Sequence, residues 1–238
     1  GASQAGSKEV LATGCWATME PQNAAALPEV GLVVPNNIKE SLVSDFLKIP
    51  PEEFDLEPVQ RQPIPGARLR TRAFIKVQDG CDNRCTFCIT TLARGKGRSR
   101  AVTDIVADIQ AAQLGDAQEV VLTGVHLGSW GKDIHPAKDI KTLVEIVLGE
   151  SDMPRVRLSS LEPWDLDENF FNLWADPRLA RHLHLPLQSG CNTTLRRMAR
   201  NTTQEKFSGL VKAARAVIPG VAITTDMIVG FPGESQAE

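Results

Sequence analysis

Three cysteines within eight positions, Cys81, Cys85 and Cys88 in a C-x3-C-x2-C spacing, are the residues of this chain best suited to chemistry. Thiolates are soft ligands that suit iron-sulfur clusters, zinc or copper. Three of them can hold three irons of a 4Fe-4S cube and leave the fourth iron open to a chelating substrate, as a catalytic metal keeps an open position. A structural zinc would need a fourth Cys or His nearby, and the nearest histidine in sequence, His126, lies beyond the next expected strand. Three unliganded buried cysteines are the third possibility, against which the loop GCDNRC is polar for a core. The chain has five cysteines, an odd number that does not fit a disulfide framework. Cys191 is taken as structural, and Cys15 on its own reads as a buried free thiol.

The loop needs a scaffold, and the pattern around it supplies one. Strands are expected at Ala73–Val77, Glu119–Thr123, Val156–Ser159, His182–Leu187 and Val221–Val229. Most are separated by helical periods such as Val102, Ile105, Val106 and Ile109, then Ile140, Leu143, Val144 and Val147, then Phe207, Leu210, Val211 and Ala214. Thr202-x-x-Glu205 reads as a capping box for the last helix. Repeated strand and helix implies parallel strands with right-handed crossovers, hence an α/β fold built as a closed or partial parallel β/α barrel or an open sheet. Chemistry in such folds gathers at the carboxyl ends of the strands, where the cysteine loop falls.

Upstream, a strand at Glu9–Ala12, an Ala-rich helix near Gln22–Leu27 and a strand at Gly31–Val34 precede a helix capped by Asn36 or Asn37. That helix carries Ile38, Leu42, Val43 and Phe46 on one apolar face. Pro50, Pro51, Pro58, Pro63 and Pro65 mark an extended linker. The expected division is residues 1–49 as the later part of a small α/β domain, 50–72 as linker and 73–238 as the partial barrel.

With 42% hydrophobic and 23% charged residues the composition is that of a globular protein. No apolar run approaches the ~18 residues of a membrane span, and nothing at the start resembles a signal peptide. No membrane partner and a cytoplasmic location are therefore expected. Net charge is -3, yet Arg61–Arg100 holds ten Lys/Arg against two Asp/Glu, a local basic stripe that suggests an anionic partner. The opening GAS without methionine and the close on Gly233-Glu234-Ser235 suggest a fragment.

The loop Cys81-x3-Cys85-x-Phe87-Cys88, with an aromatic residue before its last cysteine, resembles the signature of the radical S-adenosylmethionine (SAM) superfamily. Gly80–Arg100 (GCDNRCTFCITTLARGKGRSR) is similar, more narrowly, to the methylthiotransferase family within it. Thr123–Gly131 (TGVHLGSWG), Arg157–Ser160 (RLSS), Leu183–Gly190 (LHLPLQSG) and Asp226–Glu234 (DMIVGFPGE) match in the family's order.

That resemblance implies a 4Fe-4S cluster on Cys81, Cys85 and Cys88, with SAM chelated at the open iron and cleaved to a 5′-deoxyadenosyl radical. It implies that Phe87, Gly124, Ser160, Gln188, Arg200, Ile228 and Gly230 hold the cofactor, with Arg200 on its carboxylate. Cys15, in Thr13-Gly14-Cys15-Trp16-Ala17, is similar to the last cysteine motif of the family's first domain, which binds a second 4Fe-4S cluster. Its other two ligands would lie upstream. Arg94, Lys96, Arg98 and Arg100 would track an RNA backbone. One departure is Thr90-Thr91-Leu92, where the family often has proline and tyrosine.

The implied reaction is methylthiolation at C2 of a modified adenosine in the tRNA anticodon loop. The GVHLGSWG motif is closer to the branch acting on threonylcarbamoyladenosine. The electron would come from a donor such as flavodoxin or ferredoxin, and an RNA-binding domain would follow Glu238. A ribosomal-protein aspartate as substrate, or a non-catalytic metal-stabilised RNA-binding module, are the alternatives.

Overall fold

The computed structural model describes residues 10–49 and 71–238. Glu9, the linker from Pro50 to Gly66, and Arg61, Arg68 and Arg70 of the basic stripe lie outside the described residues. The described residues divide into two compact units: 10–49 with Gly80–Asn83 and Cys88–Lys96, and the remaining described residues.

In the first unit, β1 (Val10–Thr13) and β2 (Val30–Val34) pair in parallel, and the Thr13 hydroxyl donates to the Val34 carbonyl at 2.7 Å. Two short helices fill the crossover, α1 (Cys15–Met19) and α2 (Pro21–Ala25). Pro21 opens α2 where a helix has no use for its N–H. The sequence reading missed α1 and ran α2 on to Leu27. It also placed the next cap wrongly: a 3-10 turn at Lys39–Ser41 leads into α3 (Leu42–Leu47). Asn36 is buried and accepts no capping duty. Its backbone N–H donates to Thr18 Oγ1 (2.9 Å) and its Nδ2 to the Ala93 carbonyl (2.9 Å). The expected apolar face of α3 is not covered, since Ile38, Val43 and Phe46 are all exposed.

The second unit contains the barrel. Strands β3 (Arg72–Asp79), β5 (Glu119–Gly124) and β6 (Val156–Leu158) run parallel. A two-residue strand the sequence did not reveal, β4 (Arg98–Ser99), lies antiparallel on the end of β3. β7 (His182–His184) and β8 (Ala222–Thr224) form a second parallel pair. Parallel bridges Val156↔Leu179 and Ser160↔His184 carry the order on from β6 to β7. Arg72, placed at the end of the linker by sequence, begins β3.

Helices α5 (Val102–Leu114), α6 (Ile140–Glu150), α7 (Asn192–Arg197) and α8 (Gln204–Val217) accompany the strands. Their apolar stripes, among them Ile105, Ile109, Leu143 and Val147, join Val120, Leu122, Val156 and Leu183 in one core. The partial parallel β/α barrel expected from the alternation is thus the observed architecture. Details differ. Residues 168–175 make a 3-10 helix capped by Asp167. The cap of α8 is Thr203, whose hydroxyl accepts from the Lys206 N–H, so the Thr202/Glu205 box does not form. Beyond Thr224 the expected fifth strand is reduced to the bridge Gln188↔Met227.

Candidate functional site

Strand β3 ends at Asp79 and Gly80 turns the chain at φ +77. A side chain there would overlap the Lys96 carbonyl, so only glycine lets these two stretches of the loop close on each other. The Cys81 N–H donates to the Gly95 carbonyl (3.0 Å), and Thr91 Oγ1 donates to the Asn83 carbonyl (2.9 Å), which ties α4 (Thr90–Arg94) to the start of the cysteine loop. Cys81 Sγ accepts from the Asn83 N–H at 3.4 Å, and Cys88 Sγ lies 3.1 Å from Thr90 Oγ1. Cys81 and Cys88 belong to the first unit. So does Cys15, half-buried at the start of α1, where Asn36 Nδ2 approaches its Sγ at 3.4 Å. One amide therefore touches both the Cys15 thiol and the Ala93 carbonyl of α4.

Arg84–Phe87 belongs to the second unit. Thr86 anchors it, its N–H donating to the Met198 carbonyl (3.1 Å) and its hydroxyl to the Arg197 carbonyl (2.9 Å). Cys85 Sγ receives Arg200 Nη1 at 3.8 Å. Phe87 is exposed, so its ring is open to a planar ligand. None of the three loop thiols is in a disulfide. Among the described residues no group of three or more His, Cys, Asp and Glu side chains is gathered around a point that could hold a single metal ion. The donor set itself fits a cluster: soft sulfurs, each receiving or facing a hydrogen-bonding group, which is how protein surroundings support cluster thiolates.

Most of the other expected cofactor residues line the carboxyl ends of the second unit's strands. Gly124 closes β5, and a side chain on it would crowd Gln78 at the end of β3. Ser160 follows β6 and bridges to His184. Gln188 follows β7 with φ +76, a left-handed conformation that costs a non-glycine residue energy and tends to persist at functional sites. It is held by the Asp226 carbonyl and in turn accepts from the Ile228 N–H at 2.8 Å. Gly230 (φ +75) donates to Glu234 Oε2 at 2.7 Å.

Two residues are engaged otherwise than expected. Arg200 Nη2 donates to Glu162 Oε2 (2.7 Å) and to the Pro186 carbonyl, and its guanidinium lies 4.5 Å from the Trp164 ring centre. Arg100, expected on RNA, pairs with Asp108 and the Lys76 carbonyl, both at 2.8 Å. Lys96 and Arg98 are exposed and Arg94 half-exposed.

Sequence reasoning missed the groups that hold the strand ends. His126 Nε2 lies 2.5 Å from Asp165 Oδ2, Lys132 Nζ lies 2.8 Å from Oδ1, and the Asp165 side chain is almost fully buried. Burial pushes the Asp165 carboxyl up, but hydrogen bonds from His126 and Lys132 outweigh it and hold it below the usual carboxylate range. Gly128 packs on this carboxylate, where a Cβ would stand 2.6 Å from the Asp165 Cβ. The run Glu162-Pro163-Trp164-Asp165 right after β6 was the available signal: two carboxylates beside an aromatic at a strand end.

The model of the radical SAM superfamily matches residues 75–238. The chain is 37% identical over 241 residues to threonylcarbamoyladenosine tRNA methylthiotransferase MtaB of Bacillus subtilis, covering 96% of this chain and 53% of that protein. It is 38% identical over 169 residues to tRNA-2-methylthio-N(6)-dimethylallyladenosine synthase of Clostridium tetani, covering 71% and 37%. The chain thus spans about half the length of the MtaB relatives it matches. Among solved structures, the radical S-adenosylmethionine methyltransferase TsrM of Kitasatospora setae shares the fold, with a TM-score of 0.69 at 17% identity over 95% of this chain and 51% of that one.

Proposed function

The chain belongs to the radical SAM superfamily, and from that premise we propose that Cys81, Cys85 and Cys88 hold a 4Fe-4S cluster with its fourth iron open to SAM. The carrying observation is one loop, eight residues from first thiol to last, leaving the carboxyl end of the first barrel strand. When bound, the cluster supplies the electron that cleaves the sulfonium of SAM. Everything else is the work of this chain's residues. Gly124 would present bare backbone to the cofactor at the end of β5, Ser160 and Gln188 would offer polar groups at other strand ends, and Ile228 and Gly230 would cover the adenine. Phe87, exposed on the loop, would pack near that ring.

For the reaction we infer methylthiolation at C2 of threonylcarbamoyladenosine in a tRNA anticodon loop, supported by the similarity to MtaB along 96% of the chain. Cys15 would then be one ligand of a second cluster that provides the sulfur. Arg94, Lys96 and Arg98 would contact RNA phosphates, with Arg100 bracing β3 from behind. With a tRNA substrate and a flavodoxin- or ferredoxin-type donor, the protein would work in the cytoplasm. Among the described residues no helix is long and apolar enough to cross a membrane.

The test is anaerobic reaction of the full-length protein with SAM, a reductant and two substrates, modified tRNA and ribosomal protein. The expected result is 5′-deoxyadenosine together with a methylthio mass gain on tRNA. A gain on protein alone would shift the substrate to an aspartate, and no 5′-deoxyadenosine from a reduced cluster would defeat the enzyme reading altogether.

A further inference from the structure

We propose that Arg200 acts on the cluster through Cys85, as a positioning residue that orients this thiolate and raises the cluster's reduction potential. The inference rests on the reading that Cys85 is an iron ligand. The family resemblance alone implies that Arg200 holds the cofactor's carboxylate. The geometry argues for a different task, because the guanidinium already carries a two-pronged carboxylate partner: Nη1 to Glu162 Oε1 at 3.2 Å and Nη2 to Oε2 at 2.7 Å. The Pro186 carbonyl takes a further Nη2 donor, and the Trp164 ring covers one face. What remains directed outward from this cage is the contact of Nη1 with Cys85 Sγ at 3.8 Å.

The cage is fixed. Arg200 has a side chain 1% exposed, and its Nε is buried with no partner among the described residues, so the group has no solvent-relaxed alternative nearby. Ala199 before it is held at φ +53, a conformation that turns the chain and sends Arg200 inward. The same turn presents the Arg197 and Met198 carbonyls to Thr86, the residue after Cys85. Thiolate and guanidinium are therefore registered by one short stretch of backbone.

A buried positive charge at a cluster sulfur favours the state carrying one more electron, and hydrogen bonds to the sulfurs tune potentials in the same direction. Glu162 opposes this with a carboxylate shared with the same nitrogen. The two residues should thus have opposite effects, which loosening of the loop would not produce.

The experiment is a redox titration of the intact protein, following by EPR the cluster whose reduced signal changes when SAM is added. Arg200→Gln should make that cluster harder to reduce, with about a tenfold lower reduced-to-oxidised ratio at a fixed potential, or ~59 mV for one electron. Glu162→Gln should shift it the other way, and Arg200→Lys should fall between Gln and wild type. Equal potentials in all four proteins, or shifts of one sign in Arg200→Gln and Glu162→Gln, would overturn the proposal. Should Arg200→Gln fail to hold a cluster, Glu162→Gln decides: a rise supports the proposal and a potential at or below wild type overturns it. A wild-type protein with no SAM-responsive cluster would instead sink the reading of the cysteine trio, and this inference with it, before any variant is made.

Discussion

The two units treat their apolar residues differently. In the second, Leu122, Leu143, Phe171 and Leu183 are all but inaccessible and belong to one continuous core. In the first, the buried apolar residues among those described are small, Ala17, Ala24 and Ala93 with Val34, while Leu32, Ile38 and Phe46 are exposed. The carboxyl-end platform of Gly124, Ser160 and Gln188 is therefore mounted on a close-packed scaffold, whereas Cys81 and Cys88 sit on stretches fixed mainly by hydrogen bonds such as Cys81 to Gly95 and Thr91 to Asn83.

Substitutions can sharpen or break this contrast. Phe171→Ala removes a fully buried ring from the main core and should cost about 3–5 kcal/mol in chemical denaturation. Asp165→Asn leaves His126 and Lys132 facing a neutral amide and should cost ~2–3 kcal/mol near neutral pH. The sign with pH is fixed by the lowered folded pKa of Asp165. Its contribution is fully present above the unfolded value of about 3.9 and is lost as pH falls through the folded value. The gap between wild type and Asp165→Asn should therefore close in acid, and a gap that persists below the folded value would show the carboxylate is not its source.

Gly80→Ala places a methyl against the Lys96 carbonyl at a left-handed position and should cost ~1–3 kcal/mol locally. Its signature is a lower iron content after reconstitution with the main unfolding transition nearly unmoved. The smallest effect is expected from Phe46→Ala, within ~0.5 kcal/mol, because the ring is already exposed. A cost comparable to Phe171→Ala would erase the contrast between the units.

What the sequence made legible was whatever repeats. The strands β3, β5 and β6 and the helices α5, α6 and α8 were readable because their apolar residues keep one period over many positions. The cysteine spacing was readable because three thiols within eight positions are a pattern of residue types, visible without the fold. The two-residue β4 and the 3-10 segment Glu168–Ala175 are too short or too irregular for a period to emerge. Thr202 and Thr203 are equally good caps on paper, and only the backbone decides between them. The pairing of His126 with Asp165, 39 residues away, arises from neighbouring strand ends, and that of Arg200 with Glu162, 38 residues away, from the turn after α7 meeting the segment after β6; neither leaves a local pattern. Arg100 shows the same limit: a basic residue in a basic run is indistinguishable from its neighbours until Asp108 is found beside it.

The most direct measurement is the iron and acid-labile sulfide content of the anaerobically reconstituted chain, alongside a variant with Cys81, Cys85 and Cys88 all changed to Ala. We expect about four irons and four sulfides in the wild type and background levels in the variant. One tightly held zinc, or iron that stays when the three thiols are removed, would contradict the account.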